Sequence, residues 1–505
     1  MKKEKFTWEN LIGLLFIIGA FFLLCLVMMQ GISDDIWYDE VFSMGMAGRS
    51  FKDIISITAS DVHPPLYYFY LKIVHDIGGV IVPFVSEIVI CKMASVLPVV
   101  VILIIAVTKL VKRFGILCIG CFSFLIMSMP QLNTYMLEIR MYSLASLLIT
   151  LLFLKAYDIV IKEKKGFADF LLLFIYGILT AYTQYFACVA VIAVYISLLV
   201  FFLITKCEKR YLRNWIICVG CSVVAYIPWL PILFSQFNKV NTNYWIQPMG
   251  IRSLFGCIKF IFLPVSFDVK MNYVAAIIMI TVTFFVFIMF LKSKPDKKEL
   301  FFVFTGWGTV VFVVLVGFVL SIVNTPIFVY RYMVPALFVF WLVEAYLLTG
   351  IMNKKWYLIL LIPFLLGGFL STKGFYQEEH KKIVQMEETS KVLNEIPVDA
   401  VIVTNFDHVT AISAYYLKND VYLYEGVTDP LISDMFSNCK QSCNEEMMLK
   451  KLQNGKKVYF FGSFNAREEL IEEWKQQGIT ANEINSCLLE RYWFNIYELG
   501  VENQQ

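Results

Sequence analysis

Eleven mostly apolar stretches fill the first 371 residues, and short charged clusters separate them. They cover 11–29, 80–108, 114–130, 141–161, 168–185, 187–205, 214–235, 272–291, 299–322, 332–351 and 356–371. About 20 apolar residues in a helix cross the ~30 Å hydrocarbon core of a bilayer. Inside that core every backbone N–H and C=O needs an internal partner, which a helix supplies to itself. The pattern predicts an α-helical polytopic membrane protein with about 11 transmembrane helices. A further apolar stretch, 251–266, is broken by Arg252, Lys259 and Pro264 and reads as re-entrant or interfacial.

Basic residues give the spans a direction, because they concentrate in cytoplasmic loops. Lys2, Lys3 and Lys5 precede the first span. Counting spans, the clusters Lys109/Lys112/Arg113, Lys162/Lys164/Lys165, Lys206/Lys209/Arg210/Arg213, Lys292/Lys294/Lys297/Lys298 and Lys354/Lys355 all fall on that same side. The intervening loops are sparser in basic charge. An odd span count then places the N-terminus in the cytoplasm and the C-terminus outside the cell membrane. No small-x-small cleavage site follows Met28-Met29-Gln30-Gly31, so the first span reads as a retained anchor.

Composition agrees with two unlike parts. Only 16% of residues are charged against the ~25% usual in soluble proteins, and 59% are hydrophobic. The deficit ends near residue 371, which divides a transmembrane part, 1–371, from a soluble part, 375–505. In the latter, Ala400–Thr404, Val421–Tyr424 and Lys457–Phe461 are β-like, whereas His408–Leu417 and Ala466–Gln477 have helical spacing. Strands alternating with helices predict a small α/β domain. It has no glycine-rich phosphate loop. A net charge of +3 without a basic, aromatic-interleaved patch excludes nucleic acid as a partner. All but three of the 12 cysteines lie in or beside the apolar spans. Cys439 and Cys443 are spaced to form a disulfide if the tail is extracytoplasmic, and remain thiols otherwise.

Charge at a membrane edge is expensive and marks either function or a structural pair. Four outer-face clusters stand out. Asp34-Asp35-Ile36-Trp37-Tyr38-Asp39-Glu40 follows the first span. It is either a solvated loop with aromatic anchors or the holder of a carboxylate serving as general base or metal ligand. Adjacent Asp39 and Glu40 do not readily aim at one atom, so one is expected to do chemistry and the other to hold structure. In Asp61-Val62-His63-Pro64-Pro65-Leu66-Tyr67-Tyr68 the prolines suit a helix start, which does not account for Asp61 and His63. Glu138-Ile139-Arg140-Met141-Tyr142 and Tyr330-Arg331-Tyr332 each put an arginine on the side where basic residues are scarce. Each arginine either snorkels or pairs locally, or binds an anion, since a guanidinium matches phosphate geometry. Carboxylate base plus phosphate-binding cations suits transfer of a sugar from a lipid phosphate to a hydroxyl. The leaving group is already an anion, and the incoming hydroxyl needs a base.

Asp39-Glu40, His63-Pro64-Pro65-Leu66-Tyr67-Tyr68, Glu138-x-Arg140-x-Tyr142 and Arg331-Tyr332, taken in order, resemble the GT-C glycosyltransferases. Within them they are similar to the branch of protein O-mannosyltransferases and lipid A aminoarabinose transferases, over about residues 1–371. The resemblance implies a polyprenyl-phosphate-linked sugar donor used at the outer face with inversion. It implies Asp39 as catalytic base or acceptor-positioning carboxylate, supported by Glu40. His63 and Asp61 would line the substrate site, Arg140 and Arg331 would hold the donor phosphate, and Tyr142 and Tyr67 would complete the cavity. No cofactor is required in this branch. Asp34-Asp35 lies outside the shared pattern and leaves a divalent metal open. The implied partners are the lipid-linked donor, an acceptor lipid, glycan or protein, and membrane lipids. The competing readings are a lipid-linked sugar flippase or transporter, which would need ionisable residues near span centres or internal repeats, and a noncatalytic membrane scaffold, which leaves the acidic first loop unexplained.

Overall fold

A computed structural model describes residues 7–33, 35–162, 165–240, 246, 248–323, 325–350, 357–426, 430–440, 442–464, 466–489 and 492–502. The chain divides into two compact units. One comprises 1–32, 51–74 and 92–377, and the other comprises 33–50, 75–91 and 378–505.

Among the described residues, nine helices are long and apolar enough to cross a bilayer: Trp8–Gly31, Glu87–Phe114, Tyr142–Ile161, Tyr185–Thr205, Lys209–Asn238, Val269–Lys292, Lys297–Val323, Tyr330–Gly350 and Leu358–Glu395. Two shorter apolar helices, Ile116–Ser128 and Phe167–Ala181, bring the set into register with the eleven apolar stretches. This is a multi-pass membrane protein. Lys209–Tyr226 exposes Ile216, Ile217, Val223 and Val224, a cost in water that lipid removes. By contrast, Val334–Gly350 is buried on nearly every side and forms the centre of the helical unit. The first and third apolar helices approach through glycine: a Cβ on Gly120 would collide with the Gly13 carbonyl.

Several boundaries depart from the sequence expectation. The stretch 80–108 begins inside a separate helix, Leu66–Ile81, and its span starts at Glu87. Val82-Pro83 breaks the backbone pattern between them, because proline lacks the N–H a helix needs. The stretch 251–266 contains a helix of only 12 residues, Ile251–Phe262. At 1.5 Å per residue that is about 18 Å, too short to span. The last apolar helix is 39 residues long, Tyr357–Glu395, so it runs well past 371, and only its first half is apolar. Charge is also not confined to span ends. Glu344 is fully buried within Val334–Gly350, where it accepts a hydrogen bond from Thr283 Oγ1 at 2.9 Å.

In the second unit five strands form one sheet: β1 (Val401–Thr404), β2 (Asp420–Leu423), β3 (Val458–Gly462), β4 (Ile479–Leu489) and β5 (Tyr492–Val501). Their order is β2-β1-β3-β5-β4. The first three run parallel, and β5 and β4 form an antiparallel extension. β1 is buried throughout, as a central parallel strand covered on both faces must be. One face packs Val401, Val403, Val458, Phe460 and Leu499 on Trp474 and Met448. The helix Asp407–Tyr416 lies against β1 and β2.

Cys439 and Cys443 are free thiols. Cys439 pairs along the backbone with Val421 and Cys443 with Tyr424. Those partners are three residue steps apart, about 10 Å, beyond the ~7 Å Cα separation that a disulfide tolerates. Burial pushes the Cys443 thiol up to about 12.

Candidate functional site

In the helical unit, three of the residues singled out by sequence form a hydrogen-bonded chain. Asp61 and His63 lie in the turn between helices Phe51–Ser60 and Leu66–Ile81. Pro64 and Pro65 end that turn; the Pro65 carbonyl accepts from Phe69 N at 3.1 Å, and Leu66 N donates to Tyr182 O at 3.1 Å. The second helix is thereby anchored at its first residue. His63 Nδ1 is 3.2 Å from Asp61 Oδ2, and His63 Nε2 is 3.2 Å from Arg140 Nη2.

A guanidinium only donates, so Nε2 must accept and carry no proton. The ring hydrogen therefore sits on Nδ1 and is donated to Asp61. This places His63 in its neutral form between a cation and an anion, with one tautomer fixed by its neighbours.

Arg140 is 4% exposed. It lies in the tight bend that precedes Tyr142–Ile161, with its N–H on the Glu138 carbonyl at 2.6 Å. Arg331 lies in the short helical turn Tyr330–Met333, ahead of Val334–Gly350. Ser146 Oγ reaches the Val334 carbonyl at 3.4 Å and ties those two segments together. Tyr142 is fully buried at the first position of the helix Tyr142–Ile161. Tyr67 and Tyr68 are also fully buried, ring edge to ring face, at the start of their helix.

A cavity of about 410 Å³ opens beside this chain, lined by His63, Gln184, Tyr185, Gln236 and Tyr332 among apolar side chains such as Phe186, Ile192 and Phe237. Tyr332, next to Arg331, stacks on Phe186 with centroids 4.8 Å apart. Trp229 Nε1 donates to the Tyr185 hydroxyl at 3.0 Å, and Gln236 Nε2 donates to the Thr58 carbonyl at 2.7 Å. Sequence reasoning had Tyr332 in the Arg331-Tyr332 motif but missed Gln184, Tyr185 and Gln236, because outside the motifs it searched for charge. Uncharged polar residues breaking apolar runs were the available signal.

Asp39 and Glu40 belong to the other unit. They are the second and third residues of helix Tyr38–Ala47. The Glu40 carboxylate accepts from Trp37 N at 3.2 Å, closing the first turn on itself, while Ser43 Oγ donates to the Asp39 carbonyl at 3.0 Å. Beside them is a residue that the sequence reading placed only at the start of a helical stretch. The His408 ring stacks on Tyr38, with centroids 3.8 Å apart and planes 15° from parallel. Its Nδ1 is 2.7 Å from the Tyr492 hydroxyl. Burial lowers the His408 pKa below the usual imidazole value, against the opposing pull of Asp407 and Asp39. Among the described residues no three His, Cys, Asp or Glu side chains are grouped to hold a metal ion. Asp34 lies outside the described residues.

Apolar spanning helices together with a small α/β sheet domain define the class: a multi-pass membrane protein with one sheet-bearing domain. Solved structures of ArnT, the lipid A aminoarabinose transferase, from Cupriavidus metallidurans share that fold. The apo structure superposes with a TM-score of 0.58 at 10% identity, over 97% of this chain and 99% of that one. The structure bound to undecaprenyl phosphate gives 0.59 at 9% identity, over 97% and 98%. No protein-family model matches the sequence, and no curated protein matches it.

Proposed function

We propose that this chain is a membrane glycosyltransferase that moves a sugar from a polyprenyl-phosphate donor to an extracytoplasmic hydroxyl acceptor. The observation that carries the reading is a meeting of cations with an apolar cavity. Arg140 is bonded to His63, Arg331 is followed by Tyr332, and both His63 and Tyr332 line the cavity. A phosphate on an isoprenoid tail is an anion joined to an apolar chain, which such a site suits. The similarity in fold to an ArnT that was crystallised with undecaprenyl phosphate supports the same donor class.

In this reading Asp39 is the general base. Its carboxylate takes the acceptor hydroxyl proton as the oxygen attacks the anomeric carbon. The bond from that carbon to the phosphate oxygen breaks on the opposite face, so the configuration inverts. The polyprenyl phosphate leaves as an anion held by Arg140 and Arg331, and no acid is needed to release it. Asp61 and His63 orient Arg140, and Tyr142 and Tyr67 shape the cavity. The basic loops support a cytoplasmic N-terminus and an extracytoplasmic tail in the cell membrane.

Purified protein in detergent, given a radiolabelled polyprenyl-phosphate sugar and envelope acceptors, tests the assignment. Asp39→Asn should abolish transfer with folding intact; transfer at the native rate would remove Asp39 from the role of base. A second reading, a lipid-linked sugar transporter, draws on Glu344 inside its span. Donor translocation into the lumen of sealed vesicles without any glycosylated product would favour it.

A further inference from the structure

The acidic segment after the first span shares a compact unit with the C-terminal domain, not with the spans that flank it. Contacts among the described residues hold it there, four of them as follows. Ile36 N donates to the Tyr416 hydroxyl at 3.0 Å. Tyr38 stacks on His408. Gly45 lies so close to Met435 that a Cβ would strike the sulfur. The Arg49 guanidinium donates to the Asp434 carbonyl. Two of the four come from opposite ends of one helix, Asp407–Tyr416, and they bracket the turn leading into Tyr38–Ala47.

We propose that the tail domain is the mount of the catalytic carboxylate, with His408 and Tyr416 as the residues that position Asp39. This rests on the reading of Asp39 as the base. The His408 ring has little freedom: Tyr492 holds its Nδ1, the Phe406 ring lies 4.7 Å from it, and Tyr38 covers one face. Tyr38 directly precedes Asp39, so a shift of the imidazole shifts the first turn of the helix that carries the carboxylate. The groups facing His408 are Tyr38 and Asp39 from that helix, Asp407 and Phe406 from its own segment, and Tyr492 from β5. Tyr416 fixes the other side of the turn by accepting the Ile36 N–H.

A base held loosely still sits near its substrate but seldom at reacting distance, and a displacement of about 1 Å can cost on the order of 100-fold in rate. The loss should fall on kcat and leave donor binding alone. In the full-length protein His408→Ala is expected to lower kcat about 10- to 100-fold with the donor KM unchanged. His408→Phe keeps a ring on Tyr38 and should recover most of that loss, which a polar variant such as His408→Asn should not. Tyr416→Phe, which keeps the ring but loses the acceptor oxygen, should lower kcat less. In an Asp39→Asn background His408→Ala should cost nothing further, because residues acting as a unit are not additive. Proteolysis within Ser33–Ser50 should speed up in His408→Ala and return towards native in His408→Phe. Native kcat in His408→Ala while Asp39→Asn is inactive would overturn the mount and leave the base standing. A fall confined to KM, or no recovery with Phe, would overturn it too. An active Asp39→Asn would instead bring down the base assignment itself.

Discussion

Arg140 donates through Nη2 to Nε2 of His63 at 3.2 Å, and the same imidazole donates through Nδ1 to Asp61. The cation is thus oriented by a neutral ring that a carboxylate holds in place. Removing Arg140 removes a charged donor, and hydrogen bonds to charged groups contribute about 1.5–3 kcal/mol. Arg140→Ala should raise the donor KM by about 10- to 100-fold, and Arg331→Ala should act in the same direction. Arg140→Lys should recover only part, since an ammonium lacks the planar fork. Titration of a labelled polyprenyl phosphate against each variant checks this; unchanged affinity in both alanine variants would remove the arginines from the donor site.

Gly120 faces the backbone of Gly13 with no room for a methyl group. Gly120→Ala must push apart the helices Trp8–Gly31 and Ile116–Ser128, and overpacking typically costs about 1–3 kcal/mol. Lower yield of monodisperse protein and a lower unfolding temperature in detergent are expected. Gly19→Ala has open space around it and serves as the control.

Glu344 gives Thr283 its acceptor. Glu344→Gln retains a carbonyl oxygen there and should fold at native yield. Glu344→Lys places an ammonium at a fully buried position within a span, at a cost of about 2.5 kcal/mol or more. Membrane-integrated yield in vivo distinguishes the two, and a lysine variant that inserts normally would contradict the described burial.

Acidification acts through His408. Unfolded, its imidazole takes a proton near pH 6.5, whereas in the folded protein burial holds the pKa lower. Between those values the unfolded chain carries more protons, so stability falls as pH drops through the window and is complete above about 6.5. Thermal unfolding of the full-length protein at pH 7.5 and 5.5 should show this loss, and His408→Phe should lessen it.

The spans were legible because lipid imposes one demand on every residue of a run, and eleven runs met it. Three strands and two helices of the tail were legible for a similar reason: β1, for instance, opens with Val401-Ile402-Val403, and all four of its residues are buried because both its faces are covered. The β4–β5 pair was not, since Thr480, Asn482, Glu483 and Asn485 interrupt any apolar alternation on this edge strand. Asp61, His63 and Arg140 were legible as unexplained polar residues in the loops where basic charge is sparse. Their connection was not, because 77 residues separate His63 from Arg140. Adjacency said that Asp39 and Glu40 would not aim at one atom, but not which of them turns back on the backbone: it is Glu40, whose carboxylate accepts from Trp37 N. His408 stood alone in the sequence, and only the fold supplies its stacking partner.

Ile36 and Tyr416 are 380 residues apart. Translation proceeds at about 5–20 residues per second, so roughly 20–80 s pass between the emergence of one and of the other. During that interval the acidic segment has no Asp407–Tyr416 helix to dock on. Under the proposed mount, assembly order therefore acts as a timer: the helical unit can be complete in the bilayer while Asp39 still waits for the sheet domain to fold.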